Sequence, residues 1–176
     1  MSETAPNSPE KKESLDDNAR KFKLDGLSKV FLDTYDATSF ILTTDWLKTD
    51  EDSEEKLAYK KFDNGDVQIL LIAKVTNNGN RTSVKEKITE EKYRELKASS
   101  TLQVQKTRFE FSYPQSEVML SMKYDEFTNS KLRVLEVDAA NDTERDSFVT
   151  SEFPVKLIEV TGNLSYYGYR VASNLG

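Results

Sequence analysis

The feature that most constrains this chain is period-two alternation. From Arg20 onward, short runs rich in β-branched and aromatic residues are separated by turn chemistry. Such runs pack as half-buried strands, because side chains two apart share one face of a sheet. Strands are expected over 20–24, 35–43, 56–62, 67–75, 81–88, 102–111, 117–124, 131–138 and 156–161. Asp63-Asn64-Gly65-Asp66 predicts a type I′ hairpin turn, since Asn-Gly tolerates positive φ. Asn77-Asn78-Gly79-Asn80 marks a looser turn and Asn129-Ser130 a third. The stretch Asp45 to Glu55, with Trp46 among acids, is expected to be a long exposed loop. Two helices are expected. One follows Thr89 as N-cap; the other starts at Asn141, which stands at capping-box spacing from Glu144, and runs towards Phe148 and Val149 before Pro154 stops it. Many hairpin-linked strands with two helical inserts predict a mainly β (α+β) domain, an antiparallel barrel.

With 176 residues the chain has the size of one domain, large enough to bury a core without covalent staples. Residues 1–15 hold little to bury and are expected to be a disordered acidic and polar tail, with the domain over 16–176. There is no Cys and no His, which removes disulfides, Cys/His zinc sites, thiol nucleophiles and His-based triads. Any chemistry falls to carboxylates, Lys, Arg, Tyr, hydroxyls or hard metal ions. The longest apolar run, Ile69 to Ala73, is far below the roughly 20 residues that span a bilayer. Residues 1–13 lack the apolar stretch of a signal peptide, so the expected location is cytoplasmic, with no membrane partner. Residues 1–17 hold five acids against two lysines, −3 of the net charge of −6. The acidic body argues against extended nucleic-acid binding but leaves room for a local basic pocket.

The strand faces sharpen that possibility. Lys106, Arg108 and Glu110 share one face, and Thr107, Phe109 and Phe111 the other. Ser121 and Lys123 oppose Leu120, Met122 and Tyr124; Glu136 and Asp138 oppose Leu135 and Val137; Arg81, Ser83 and Lys85 oppose Val84. Alternation alone assigns such charged faces to solvent, and it cannot tell the inside of a barrel from the outside. The six glycines never fall at phosphate-loop or dinucleotide spacing, and no EF-hand loop is present. The acidic run around Asp50-Glu51-Asp52 and Glu54-Glu55 is expected to be a solvated loop, and Tyr166-Tyr167-Gly168-Tyr169 edge packing.

Four segments in order resemble the CYTH family, the triphosphate-tunnel metalloenzymes. Arg20-Lys21-Phe22-Lys23-Leu24 resembles its opening motif and Val104-Gln105-Lys106-Thr107-Arg108-Phe109 its Lys-x-Arg strand. Leu135-Glu136-Val137-Asp138 resembles its late acidic strand, and Ile158-Glu159-Val160-Thr161 with Tyr166 its closing motif. The resemblance implies an eight-stranded antiparallel tunnel whose basic walls hold a triphosphate beside Mg²⁺ or Mn²⁺ on carboxylates. It implies phosphate-binding roles for Lys21, Lys60, Lys74, Arg81, Lys106 and Arg108, with Lys85 and Lys123 as additional basic residues. The metal acids it leaves are Glu136, Asp138 and Glu159; Asp17 stands for the first acid of the opening motif. Ala19, Ala58, Ser83, Lys85, Ser121 and Lys123 depart from the family pattern. The expected ligand is inorganic triphosphate, a nucleoside or thiamine triphosphate, or polyphosphate, taken by a monomer or homodimer. The implied activity is a divalent-metal-dependent triphosphatase. The alternative is an inactive polyanion- or nucleotide-binding module lacking the metal carboxylates.

Overall fold

The computed structural model describes residues 12–15, 19–166 and 168–175, with the backbone alone for 12–15, 80 and 175. Its strands are β1 (Lys12–Leu15), β2 (Arg20–Lys23), β3 (Thr38–Thr49), β4 (Ser53–Phe62), β5 (Val67–Asn77), β6 (Asn80–Lys87), β7 (Leu102–Gln115), β8 (Val118–Phe127), β9 (Arg133–Asp138) and β10 (Ile158–Glu159). The helices are α1 (Lys29–Thr34), α2 (Glu90–Lys97), α3 (Asp142–Asp146) and α4 (Gly168–Leu175). All ten strands form one antiparallel sheet in the order β1-β6-β5-β4-β3-β7-β8-β9-β2-β10. The expected mainly β architecture is found, but among the described residues as ten strands rather than eight, and the edge strands β1 and β10 do not pair with each other.

Chain connectivity makes this sheet curl. Leu15 closes β1 at one edge and Arg20 opens β2, eight places across the order. Five residues of chain reach at most about 18 Å, whereas eight flat strand spacings would be about 38 Å. The sheet therefore wraps on itself, and one face becomes an interior.

The apolar core lies mostly outside the curl. On the outer face of β7, β8, β9 and β2, Phe111, Tyr113, Leu120, Met122, Tyr124, Leu135, Val137 and Phe22 are buried. They lie under α1 and the segment carrying Phe148 and Phe153. Ser28 caps α1 by accepting from the Phe31 amide, and Phe31 packs edge-on against Phe111 and Phe153. On the outer face of β4 and β5, Leu57 and Ile69 are covered by Tyr93 of α2, whose N-cap is Thr89 as expected. Inside, α4 sets Val171 and Ala172 against Trp46, Val104, Phe127 and Val134, filling the end of the curl near the β3–β4 turn.

Several local expectations are corrected. Asp45 to Glu55 is not a loop: only residues 50–52 turn, between β3 and β4. Asp50, Glu51 and Asp52 are the exposed turn expected of them, but Asp45 is taken up by the fold. Asp45 is buried and accepts from Gln103 Nε2 at 2.8 Å and Tyr93 Oη at 3.2 Å. Trp46 is likewise a buried strand residue rather than part of an exposed loop. The type I′ geometry belongs to the other Asn-Gly turn, where Asn78 and Gly79 have φ of 52° and 78° between paired Asn77 and Asn80. At Asp63–Asp66 only Gly65 has positive φ; Gly65 N–H donates to the Phe62 carbonyl and Phe62 N–H to the Asp66 carbonyl, a three-residue loop. Asn141 caps α3 through the Glu144 amide, but the helix ends at Asp146 and a separate 3₁₀ turn covers Thr150–Glu152. The expected tail falls mostly outside the described residues, and its last four residues lie along β6 as β1. Asp17 and Tyr167 also lie outside them.

Candidate functional site: a basic cavity inside the curled sheet

The inner face encloses a cavity of about 720 Å³ lined from β2 round to β6 and by α4. Among the described residues ten Lys and Arg side chains line it against six Asp and Glu, so the cavity is positively charged. Three of the six acids, Asp50, Glu51 and Asp52, belong to the turn at one mouth, which concentrates the positive charge further in. All eight basic residues named from the sequence line it: Lys21, Lys60, Lys74, Arg81, Lys85, Lys106, Arg108 and Lys123. Alternation puts them on one face and register puts them in rows. Lys106 and Lys60 both stand opposite Leu42, and Lys85 stands opposite Ile72, which stands opposite Lys56.

Two carboxylates, Asp125 buried and Glu54 half-buried, organise separate stretches of the wall. Asp125, opposite Arg108 in the β7–β8 register, accepts from Arg108 Nε at 2.7 Å and Nη2 at 2.8 Å, and from Lys106 Nζ at 2.7 Å. Burial opposes its ionisation, but the two cations outweigh it and hold the carboxyl well below its usual range. Glu54, on β4, accepts from Trp46 Nε1 and Arg81 Nη2, each at 2.7 Å, and pairs with Lys56 Nζ at 2.9 Å. Burial again opposes charge, and Lys56 leads the groups that bring Glu54 down to about 2. Lys56 itself is pushed down to about 8, first by burial and then by repulsion from Lys74, against the pull of Glu54. Burial also lowers Lys60, with Arg108, Lys85 and Lys123 adding repulsion against the pull of Glu110. The wall therefore holds more cationic charge than its own carboxylates neutralise.

The acids assigned to a metal do not converge. Glu136 faces the cavity and pairs with Lys21 at 3.6 Å. Asp138 is exposed at the end of β9 and accepts from the Ala139 amide at 2.8 Å. Glu159 holds Arg20 at 2.9 and 3.1 Å and does not line the cavity. Among the described residues no three metal-ligating side chains cluster. This donor set does not fit a carboxylate centre for Mg²⁺ or Mn²⁺, which need several oxygens around one point.

Sequence reasoning missed Glu54, Lys56, Asp125 and Arg170 at this site. Lys56 was within reach, two residues before Ala58 on the same face as Lys60. Asp125 required the hairpin register. A two-residue turn at Ser116-Glu117, both with positive φ and neither glycine, sets Gln115 against Val118 and hence Arg108 against Asp125.

The fold and cavity together define a curled, unclosed antiparallel sheet with a basic interior. No protein-family model matches the chain, and no curated protein matches it. Solved structures do. The crystal structure of the inorganic triphosphatase NE1496 matches with a TM-score of 0.59 at 19% identity, over 88% of this chain and 92% of that one. A second, described as the hypothetical protein NE1496, matches at 0.60 over 88% and 95%. The PH1819 protein from Pyrococcus horikoshii OT3 matches at 0.50 and 19% identity, over 73% and 82%. At such identity the likeness is one of fold. Among the described residues no helix is long and apolar enough to cross a membrane.

Proposed function

We propose that this chain binds a triphosphate or a similar phosphate-rich anion inside the curled sheet. The observation that carries the reading is the convergence of ten basic side chains from separate strands and α4 on one cavity. A triphosphate carries about four negative charges, and its recognition is chiefly positioning and neutralisation by fixed cations. Arg108, held in plane by Asp125, presents a preoriented guanidinium suited to bidentate phosphate contacts. Lys60, Lys74, Lys85 and Lys123 supply point charges from the remaining walls. The fold neighbour described as an inorganic triphosphatase supports the same ligand class.

Hydrolysis is the weaker half of the reading, because Asp138 and Glu159 lie away from Glu136. Calorimetry with inorganic triphosphate in the presence of a chelator tests the binding; saturable 1:1 heat is expected, and its absence defeats the proposal. Phosphate release from triphosphate with Mg²⁺ or Mn²⁺ is expected to stay at the protein-free level. Turnover that scales with protein would instead establish a triphosphatase.

A further inference from the structure

One row of the wall has a pattern that grip alone does not need. On β2, β9, β8 and β7 the register sets Lys21 opposite Glu136, Glu136 opposite Lys123, and Lys123 opposite Glu110. All four line the cavity, so the row runs cation, acid, cation, acid around the inner face. Directly opposed residues have Cβ atoms about 4.5–5.5 Å apart, within reach of one another's charged ends. Lys123 is thus flanked by a carboxylate on each neighbouring strand. Glu110 and Glu136 stand two strand spacings, roughly 10 Å, apart on either side of Lys123. Long carboxylate side chains drawn together across that gap, with a third oxygen donor between them, would make a hard-cation site. The central position instead holds a lysine, whose ammonium between the two strands repels a divalent ion.

We propose that Lys123 is the resident cation of this cavity. It occupies the place between Glu110 and Glu136 that a divalent ion would need, so the wall meets its anion without a metal. This deepens the anion-binding reading but is tested apart from it, with Mn²⁺ alone as the probe. Electron paramagnetic resonance titration of the wild-type protein at pH 7.5 should show no saturable Mn²⁺ binding below millimolar concentration. Lys123→Glu, which sets three carboxylates in one row, should gain a single site at least tenfold tighter. Adding Glu136→Gln to that variant should abolish the gain. Lys123→Gln, which removes the ammonium with little change in shape, should gain a weaker site and keeps the test open if the glutamate variant fails to fold. Saturable wild-type binding that Glu136→Gln removes would overturn the inference. So would folded variants at position 123 that bind Mn²⁺ no better than wild type. Triphosphate calorimetry in chelator reports separately on the anion, so loss of one result leaves the other legible.

Discussion

Asp125 and Glu54 each hold two cations at the wall of the same cavity, yet they stand on different footings. Asp125 is sealed, with a side chain 2% exposed and its charge-assisted bonds all directed to Lys106 and Arg108. Glu54 is 15% exposed and divides its oxygens among Trp46, Lys56 and Arg81. A sealed carboxylate between two cations cannot leave without stranding them, so it acts as a fixed mount. A partly open one competes with an incoming anion for the cations it holds. The difference separates two roles: an acid that aims its cations, and an acid paired with cations that an incoming anion can also reach.

The largest expected effect comes from breaking the mount. Asp125→Asn leaves Lys106 and Arg108 buried without a counter-charge, and removing one partner of such a pair costs about 3–5 kcal/mol. Urea denaturation should show that loss; a variant within 1 kcal/mol of wild type would mean Asp125 is not the anchor. Next is the ligand side. Arg108→Ala should weaken triphosphate binding by about 10- to 100-fold, the range of one charge-assisted bidentate contact, as read by calorimetry. Glu54→Gln should act oppositely on binding and stability. It removes a competing charge, so triphosphate should bind several-fold tighter, while stability falls by about 1 kcal/mol. Tighter binding without Glu54 separates the competitor from the mount, and unchanged affinity would erase the contrast between them.

Lys56 makes the comparison pH-dependent. Its ammonium is depressed to about 8 in the folded protein from an ordinary 10.5. Between those values the unfolded chain holds a proton that the folded one has released, so this group's contribution to stability rises with pH there. Anion binding favours the protonated form and pulls the other way. Triphosphate affinity should be flat below about pH 8 and fall above it, with proton uptake on binding near pH 9. Calorimetry in buffers of different ionisation enthalpy measures that uptake; none would remove Lys56 from the site. The smallest effect is expected at Glu159→Gln. The residue pairs with Arg20 outside the cavity and is half exposed, so triphosphate affinity should not change and stability should fall by less than about 1 kcal/mol.

What could be read from the residues was the local part of this design. Alternation in 104–111, 118–124 and 133–138 put Lys106 with Arg108, and Glu136 away from Leu135, because a strand's period leaves no other choice. The caps at Thr89 and Asn141 were legible because a hydroxyl or amide side chain meets the first free amides of a helix. Asp45 and Glu54 defeated local reading, since they resemble parts of a solvated loop until Gln103 and Tyr93 reach the one and Arg81 the other from distant elements.

The sequence by itself determined which residues share a face and that the charged faces were rich in Lys and Arg. It could not say whether those faces met water or one another, because a flat sheet and a curled one have the same alternation. Only the tertiary structure decided that. The short link from β1 to β2 draws distant places in the sheet together, and helices cover much of the apolar outer face. It also decided the fate of the acids. The hairpin register set Asp125 under Arg108 and Lys123 between Glu110 and Glu136, while Glu159 was turned outward to Arg20. Register depends on turns and partners far apart in the chain, and that is why the positions of the cations were legible early and their pairing was not.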